Sequence, residues 1–192
     1  MSIAAVAAGY KAQAADKDAR FTPGAAASYA AHQTNAKVTV GAEPFVAEEK
    51  VKAAFGKNDP NRFGVLPVLV VIQNDGTKAI RADRIRLEFI GPDRGRVAAT
   101  PASEVRFLRG PRRPDVMSGP SGKPKVLKRK NPLNAWEIEG RAFAAKMIPP
   151  GQSAAGFFYF ETAYHPGSRL YVTGLMEADT GNELFYFEIP FE

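Results

Sequence analysis

From residue 37 onward, apolar positions recur mostly at every second residue, the spacing of half-buried strands. Val38, Val40 and Ala42 share one face of a strand over 37–44. The period then changes: Val46, Val51, Ala54 and Phe55 fit a short helix over 46–55, ended by Gly56. VLPVLVVI at 65–72 is a continuous apolar run, rich in β-branched residues and too short for a good helix. It predicts a strand buried on both faces, stopped by the turn sequence Gln73-Asn74-Asp75-Gly76. Ile80 opens the next strand, where Ile85, Leu87 and Phe89 oppose Arg84, Arg86 and Glu88. The turn at 91–95 ends it, and 96–105 supplies a weaker strand.

The stretch 132–147 is ambiguous. Leu133, Trp136, Phe143 and Met147 lie near helical spacing and Pro132 suits a helix start, while Gly140 argues against one. Three strands close the chain, at 156–162, 168–176 and 183–190, the last two joined by a hairpin loop at 179–182. Strands at regular spacing without βαβ alternation indicate a mainly β, antiparallel sandwich or barrel. Fifteen Pro and seventeen Gly supply the turns. The 192 residues suffice for one domain plus tails, and no repeat or composition shift divides the body. The expected organisation is an Ala-rich signal-like segment and flexible tail over 1–36, then one domain over 37–192.

Within the first segment, residues 3–8 form a short apolar run, and Ala12-Gln13-Ala14 has the small-x-small form of a signal peptidase site. The basic stretch that should precede the run is missing, which fits a signal peptide whose true start lies upstream. Export to the periplasm or cell envelope is the expectation. No run approaches the roughly 20 apolar residues of a spanning helix. Residues 16–36 read as a tether, with Phe21 and Tyr29 as docking points.

Charge is concentrated at one place. The chain carries 26 Lys/Arg and 20 Asp/Glu, net +6. Nine of those bases and a single acid, Asp115, fall between residues 106 and 130; the other seventeen bases and nineteen acids leave the rest at −2. The bases are Arg106, Arg109, Arg112, Arg113, Lys123, Lys125, Lys128, Arg129 and Lys130, interleaved with Pro and Gly, so a long basic loop over 106–131 is expected. A compact domain rarely keeps so long a loop without use. Its field favours an anionic partner within a Debye length of roughly 8 Å. An acidic protein or an anionic envelope surface would serve. Nucleic acid is disfavoured, because aromatic interleaving is confined to Phe107 and Trp136 and because export is expected.

Four stretches carry a resemblance. GVLPVLVVIQN at 64–74, followed by Asp75-Gly76, resembles the B-strand of secreted bacterial immunoglobulin-like domains. PPGQS at 149–153 with AGFFYF at 155–160 is similar to their Pro-Gly turn and following aromatic strand, and LYVTG at 170–174 and ELFYFEIP at 183–190 look like closing strands of such proteins. The likeness spans about 37–192 and implies an immunoglobulin-like antiparallel β-sandwich with one or two short helices. Many such domains are uncharacterised periplasmic proteins or lipoproteins; this chain lacks the lipidated Cys.

Catalytic chemistry finds little support. Without Cys there is no disulfide and no Cys-ligated metal. His32 and His165 lie 133 positions apart. GPSGK at 119–123 fails as a phosphate loop, since Met117 stands where Gly is needed and Pro124 where a hydroxyl is. No nucleophile elbow or calcium loop is present. No catalytic, cofactor or metal residue is assigned. The leading expectation is a non-enzymatic exported accessory or binding module. The alternatives are a structural subunit of a larger envelope assembly and a hydrolase using paired carboxylates.

Overall fold

The computed structural model describes residues 21–108, 115–118, 124–127 and 131–192. Its elements are, in order, β1 (Ala31–Asn35), β2 (Val38–Pro44), α1 (Glu48–Phe55), β3 (Leu66–Asn74), β4 (Ile80–Arg81), β5 (Arg86–Ile90), β6 (Arg96–Ala98), β7 (Asp115–Ser118) and β8 (Pro124–Leu127). Then come α2 (Trp136–Gly140), β9 (Met147–Ile148), β10 (Ser153–Phe160), β11 (Arg169–Thr173), β12 (Met176–Glu177) and β13 (Phe187–Pro190). Among the described residues the protein is mainly β, with two short α-helices. Every pairing between these strands is antiparallel.

Two four-stranded sheets dominate, ordered β1-β2-β3-β10 and β13-β11-β5-β6. A three-stranded sheet, β12-β4-β9, and the β7-β8 hairpin complete the set. The facing sides of the two large sheets share one core, with Val38, Val40, Val68 and Ile72 from the first and Leu87, Phe89, Leu170 and Ile189 from the second. The opposite face of the first sheet carries a second core, in which Phe45, Leu69, Val71, Phe157 and Tyr159 meet Phe55 of α1, Ile138 of α2, and Val105 and Leu133 from the connections. The layers therefore run helical cap, first sheet, second sheet. Among the described residues no element packs over the outer face of the second sheet.

This layering explains the apolar run at 65–72. Strand β3 is central in its sheet and contributes to both cores, Val68, Val70 and Ile72 to one and Leu69 and Val71 to the other. Pro67 would break a central strand, but it lies just past the last β2 pair, Pro44 with Val68. The Phe45 carbonyl opposite it, which a residue with an N–H would have served, instead accepts from Asn61 Nδ2 at 2.9 Å. The aromatic run at 157–160 divides in the same way, Phe157 and Tyr159 to the cap side and Phe158 and Phe160 to the inter-sheet side.

Helix α1 ends at Gly56, with φ +63° and its N–H on the Lys52 carbonyl, as the period change implied. Within the ambiguous stretch 132–147 a helix forms only over Trp136–Gly140, five residues long. The tether does not extend to residue 36. Residues 31–35 form edge strand β1, whose alternating half-buried and exposed positions are too polar to signal a strand. The β1–β2 hairpin turns through Ala36 and Lys37, both at positive φ (48° and 61°), without the Gly or Asn that marks such turns. Upstream, Phe21 packs edge-on against Phe45 and tilted against Phe157, with ring centroids 5.5 Å away in each case. The turn at Ala26–Ser28 lies so close over β2 that a Cβ on Gly41 would strike the Ala26 carbonyl.

The edges of the two large sheets meet at β1 and β13, where the Gln33 side-chain oxygen accepts from the Glu188 N–H at 2.7 Å. Asn74 joins β3 to two other segments. Its side-chain amide donates to the carbonyls of Lys78 (2.8 Å) and Ile148 (3.0 Å), and its Oδ1 accepts from the Gly76 N–H.

Candidate anion-facing interface

The basic segment leaves from the helical cap. After Pro101 the chain winds through a turn, with Glu104 N–H on the Pro101 carbonyl (2.8 Å) and Phe107 N–H on the Glu104 carbonyl (2.8 Å). Val105, fully buried, pins this turn into the second core. One buried residue in a tight turn forces its neighbours outward: Phe107 is 65% exposed, and the Arg106 guanidinium sits 5.0 Å from its ring centroid.

The segment returns at Asn131, whose side-chain amide donates to the Arg106 carbonyl at 2.7 Å while its Oδ1 accepts from the Leu133 N–H. Departure and return are thus stitched together. Leu133 and Ile138 are buried, and the Ile138 carbonyl accepts from the Tyr159 hydroxyl at 2.7 Å. That hydroxyl is held well above its ordinary pKa by burial, so it stays a donor. With Leu133 and Ile138 turned inward, Trp136 points out and is 70% exposed, its ring lying over Gly140. Arg106 Nη1 stands 3.6 Å from Glu139, a half-solvated pair of small energetic weight. Arg106 Nε is buried and has no hydrogen-bond partner among the described residues.

Of the nine sequence-assigned bases, Arg106 is therefore placed, at the foot of the segment. Lys125 lies in β8. Arg109, Arg112, Arg113, Lys123, Lys128, Arg129 and Lys130 lie outside the described residues. The segment is not irregular throughout, as its Pro and Gly content suggested. It contains the β7–β8 hairpin, with Val116 opposite Val126 and Met117 opposite Lys125. Sequence reasoning undervalued Phe107 and Trp136, because an isolated aromatic residue gives no sign of which way it faces. The buried Val105, Leu133 and Ile138 beside them decide it.

His32 Nδ1 lies 2.7 Å from the Tyr29 carbonyl, which can only accept, so the ring proton sits on Nδ1. Glu177 and Asp179 converge on the Lys78 ammonium at 2.7 and 3.4 Å. Hydrogen bonds from Lys78 and from the Thr180 hydroxyl hold the Glu177 carboxyl below its usual range, the reverse of what a general acid requires. Among the described residues no group of three or more His, Asp or Glu could hold a metal ion, and no helix is long and apolar enough to cross a membrane.

No protein-family model and no curated protein matches the chain. Solved structures show distant similarity. A Bacillus subtilis protein titled a "putative lipoprotein (ycdA)" aligns at 11% identity and TM-score 0.38, over 83% of this chain and 38% of its own. The chain thus spans well under half the length of that structure. The structural-genomics target SoR45 aligns at 11% identity and TM-score 0.31, over 81% of this chain and 83% of its own. A functionally unknown protein from Listeria monocytogenes aligns at 13% identity and TM-score 0.33, over 83% and 80%. At these scores the likenesses assign neither a family nor an activity.

Proposed function

We propose that this protein is a non-enzymatic, exported accessory or binding module. Its two large sheets form an immunoglobulin-like sandwich, and the segment 106–131 contacts an acidic protein or an anionic envelope surface. The carrying observation is the foot of that segment. Phe107 and Trp136 are held outward by three buried neighbours, the half-buried Arg106 lies against the Phe107 ring, and Asn131 ties the two ends together. Exposed Trp and Arg are the residue types that dominate binding energy where a partner covers them. Here they stand at the root of the segment that carries the chain's excess of positive charge. The bases would steer an anionic partner inward, and the aromatic pair would supply contact area once it arrives. Export is supported by the apolar run at 3–8 and the small-x-small site at 12–14.

The test is co-sedimentation of the full chain with phosphatidylglycerol vesicles and with neutral phosphatidylcholine vesicles, beside its capture by immobilised poly-glutamate. Binding to an anionic probe that salt weakens, and that deletion of 109–130 removes, is the expected result. No binding to either anionic probe, or binding indifferent to the deletion, refutes the proposal. Sequencing the mature N-terminus tests export separately: processing after Ala14 is expected, and an unprocessed chain in the cytoplasm would contradict it.

A further inference from the structure

We infer that the outer face of the second large sheet is a binding platform for a neutral glycan chain. Tyr171 stands at the centre of that face, paired across β11 with Glu188 of β13 on one side and Glu88 of β5 on the other. Its ring ends a row of three. Tyr186 lies 5.1 Å from it at 36°, and Phe185 lies 5.5 Å beyond Tyr186 at 35°. On the other side the Arg96 guanidinium covers the Tyr171 ring at 5.6 Å. Phe185 is 73% exposed and Tyr186 43%. A solvated sheet face is ordinarily polar; single exposed apolar residues are common, but a row of three touching aromatic rings marks a contact surface.

Charge decides what the row would take. Both carboxylates flanking Tyr171 are neutralised in place, Glu88 by Arg96 at 2.8 Å and Glu188 by Arg169 at 2.5 Å. With Arg86 the face holds three bases and two acids, so it is almost balanced. With its charges paired in this way, the face offers little net attraction to either a polyanion or a polycation. A neutral sugar chain suits both features. Its apolar C–H faces stack on the rings, and its hydroxyls, each donor and acceptor, can bond to Arg and Glu alike. Proline-rich peptides prefer rings arranged as a groove, whereas these lie in file on an open sheet. The platform is on the far side of the molecule from the helical cap, so it is independent of the Arg106 patch.

The experiment is depletion of the full-length protein from solution by insoluble chitin and by microcrystalline cellulose, with a decaproline peptide as competitor. The wild type is expected to bind at least one of the two polysaccharides, with little change on raising salt. Phe185→Ala combined with Tyr186→Ala should weaken binding by about tenfold or more, the loss of about 1.4 kcal/mol of stacking. Circular dichroism should show the double variant folded, and its binding to phosphatidylglycerol vesicles should be unchanged. No retention on either polysaccharide, equal retention of the double variant, binding abolished by salt, or displacement by decaproline would each overturn the inference.

Discussion

Replacing Asn74 tests how the first sheet is joined to the strands beside it. The side chain is fully buried and makes three hydrogen bonds, donating to the Lys78 and Ile148 carbonyls and accepting from the Gly76 N–H. Its backbone adds two more, to the Gln152 carbonyl and from the Gly151 N–H. Asn74→Ala keeps the backbone pair and removes the other three. The Ile148 carbonyl is buried, but it also lies opposite the Ile80 N–H in the β4–β9 ladder, so it keeps one donor and bears only part of the roughly 1–3 kcal/mol of an unsatisfied group. Lys78 and Gly76 are half-exposed, and water recovers part of their loss. The expected cost is about 2 kcal/mol in urea titration, or roughly 4–8 °C in Tm for a chain of this size. Asn74→Asp keeps the acceptor for Gly76 but turns a carboxylate oxygen toward two carbonyls. Its folded-state pKa is then raised above the unfolded value of about 3.9. The deficit should be full above the folded pKa and shrink as pH falls toward the unfolded one. A loss below about 1 kcal/mol for Asn74→Ala would refute the reasoning, since it would mean that these groups are not desolvated.

The β1–β2 turn holds two side-chain-bearing residues at positive φ. Ala36→Asn with Lys37→Gly should therefore raise stability by about 1 kcal/mol in the same titration, and no gain would contradict the turn geometry. Tyr159→Phe leaves the Ile138 carbonyl without its donor and should cost about 1 kcal/mol at neutral pH. The Tyr159 pKa is raised from 10.0 by burial, so its contribution is full below about pH 10 and is lost as pH rises above it. The variant should accordingly unfold less steeply in alkali than the wild type, followed by circular dichroism. Gly41→Ala forces the Ala26 turn off β2, and a clear drop in Tm is expected; an unchanged Tm would mean that the turn is not seated there.

The large strands were legible because burial on both faces leaves no choice of residue: at β3 and β10 nearly every position is apolar or aromatic. Helix α1 was legible from its change of period and from Gly56. Strand β1 was not, because an edge strand needs to bury only one side shallowly, and Ala31, Gln33 and Asn35 do that without aliphatic side chains. The site was half legible. Charge counting located the segment, but charge does not say where its root is held. Val105, Leu133 and Ile138 are ordinary apolar residues in sequence, and only their burial turns Phe107 and Trp136 outward. The Tyr171 platform was hidden for the same reason, since the closing aromatic strands read equally as core until the register shows which residues face solvent.

Trp136 is the chain's single tryptophan, and it stands at the root of the basic segment, so its emission reports on that surface alone. The most direct measurement is its fluorescence and acrylamide quenching while the full chain is titrated with phosphatidylglycerol vesicles and, separately, with poly-glutamate at low and high salt. A binding module docking through this face should give a blue shift and protection from quencher with at least one of the two, reversed by salt and absent when residues 109–130 are deleted. Emission that stays solvent-like and fully quenchable with both would contradict the account.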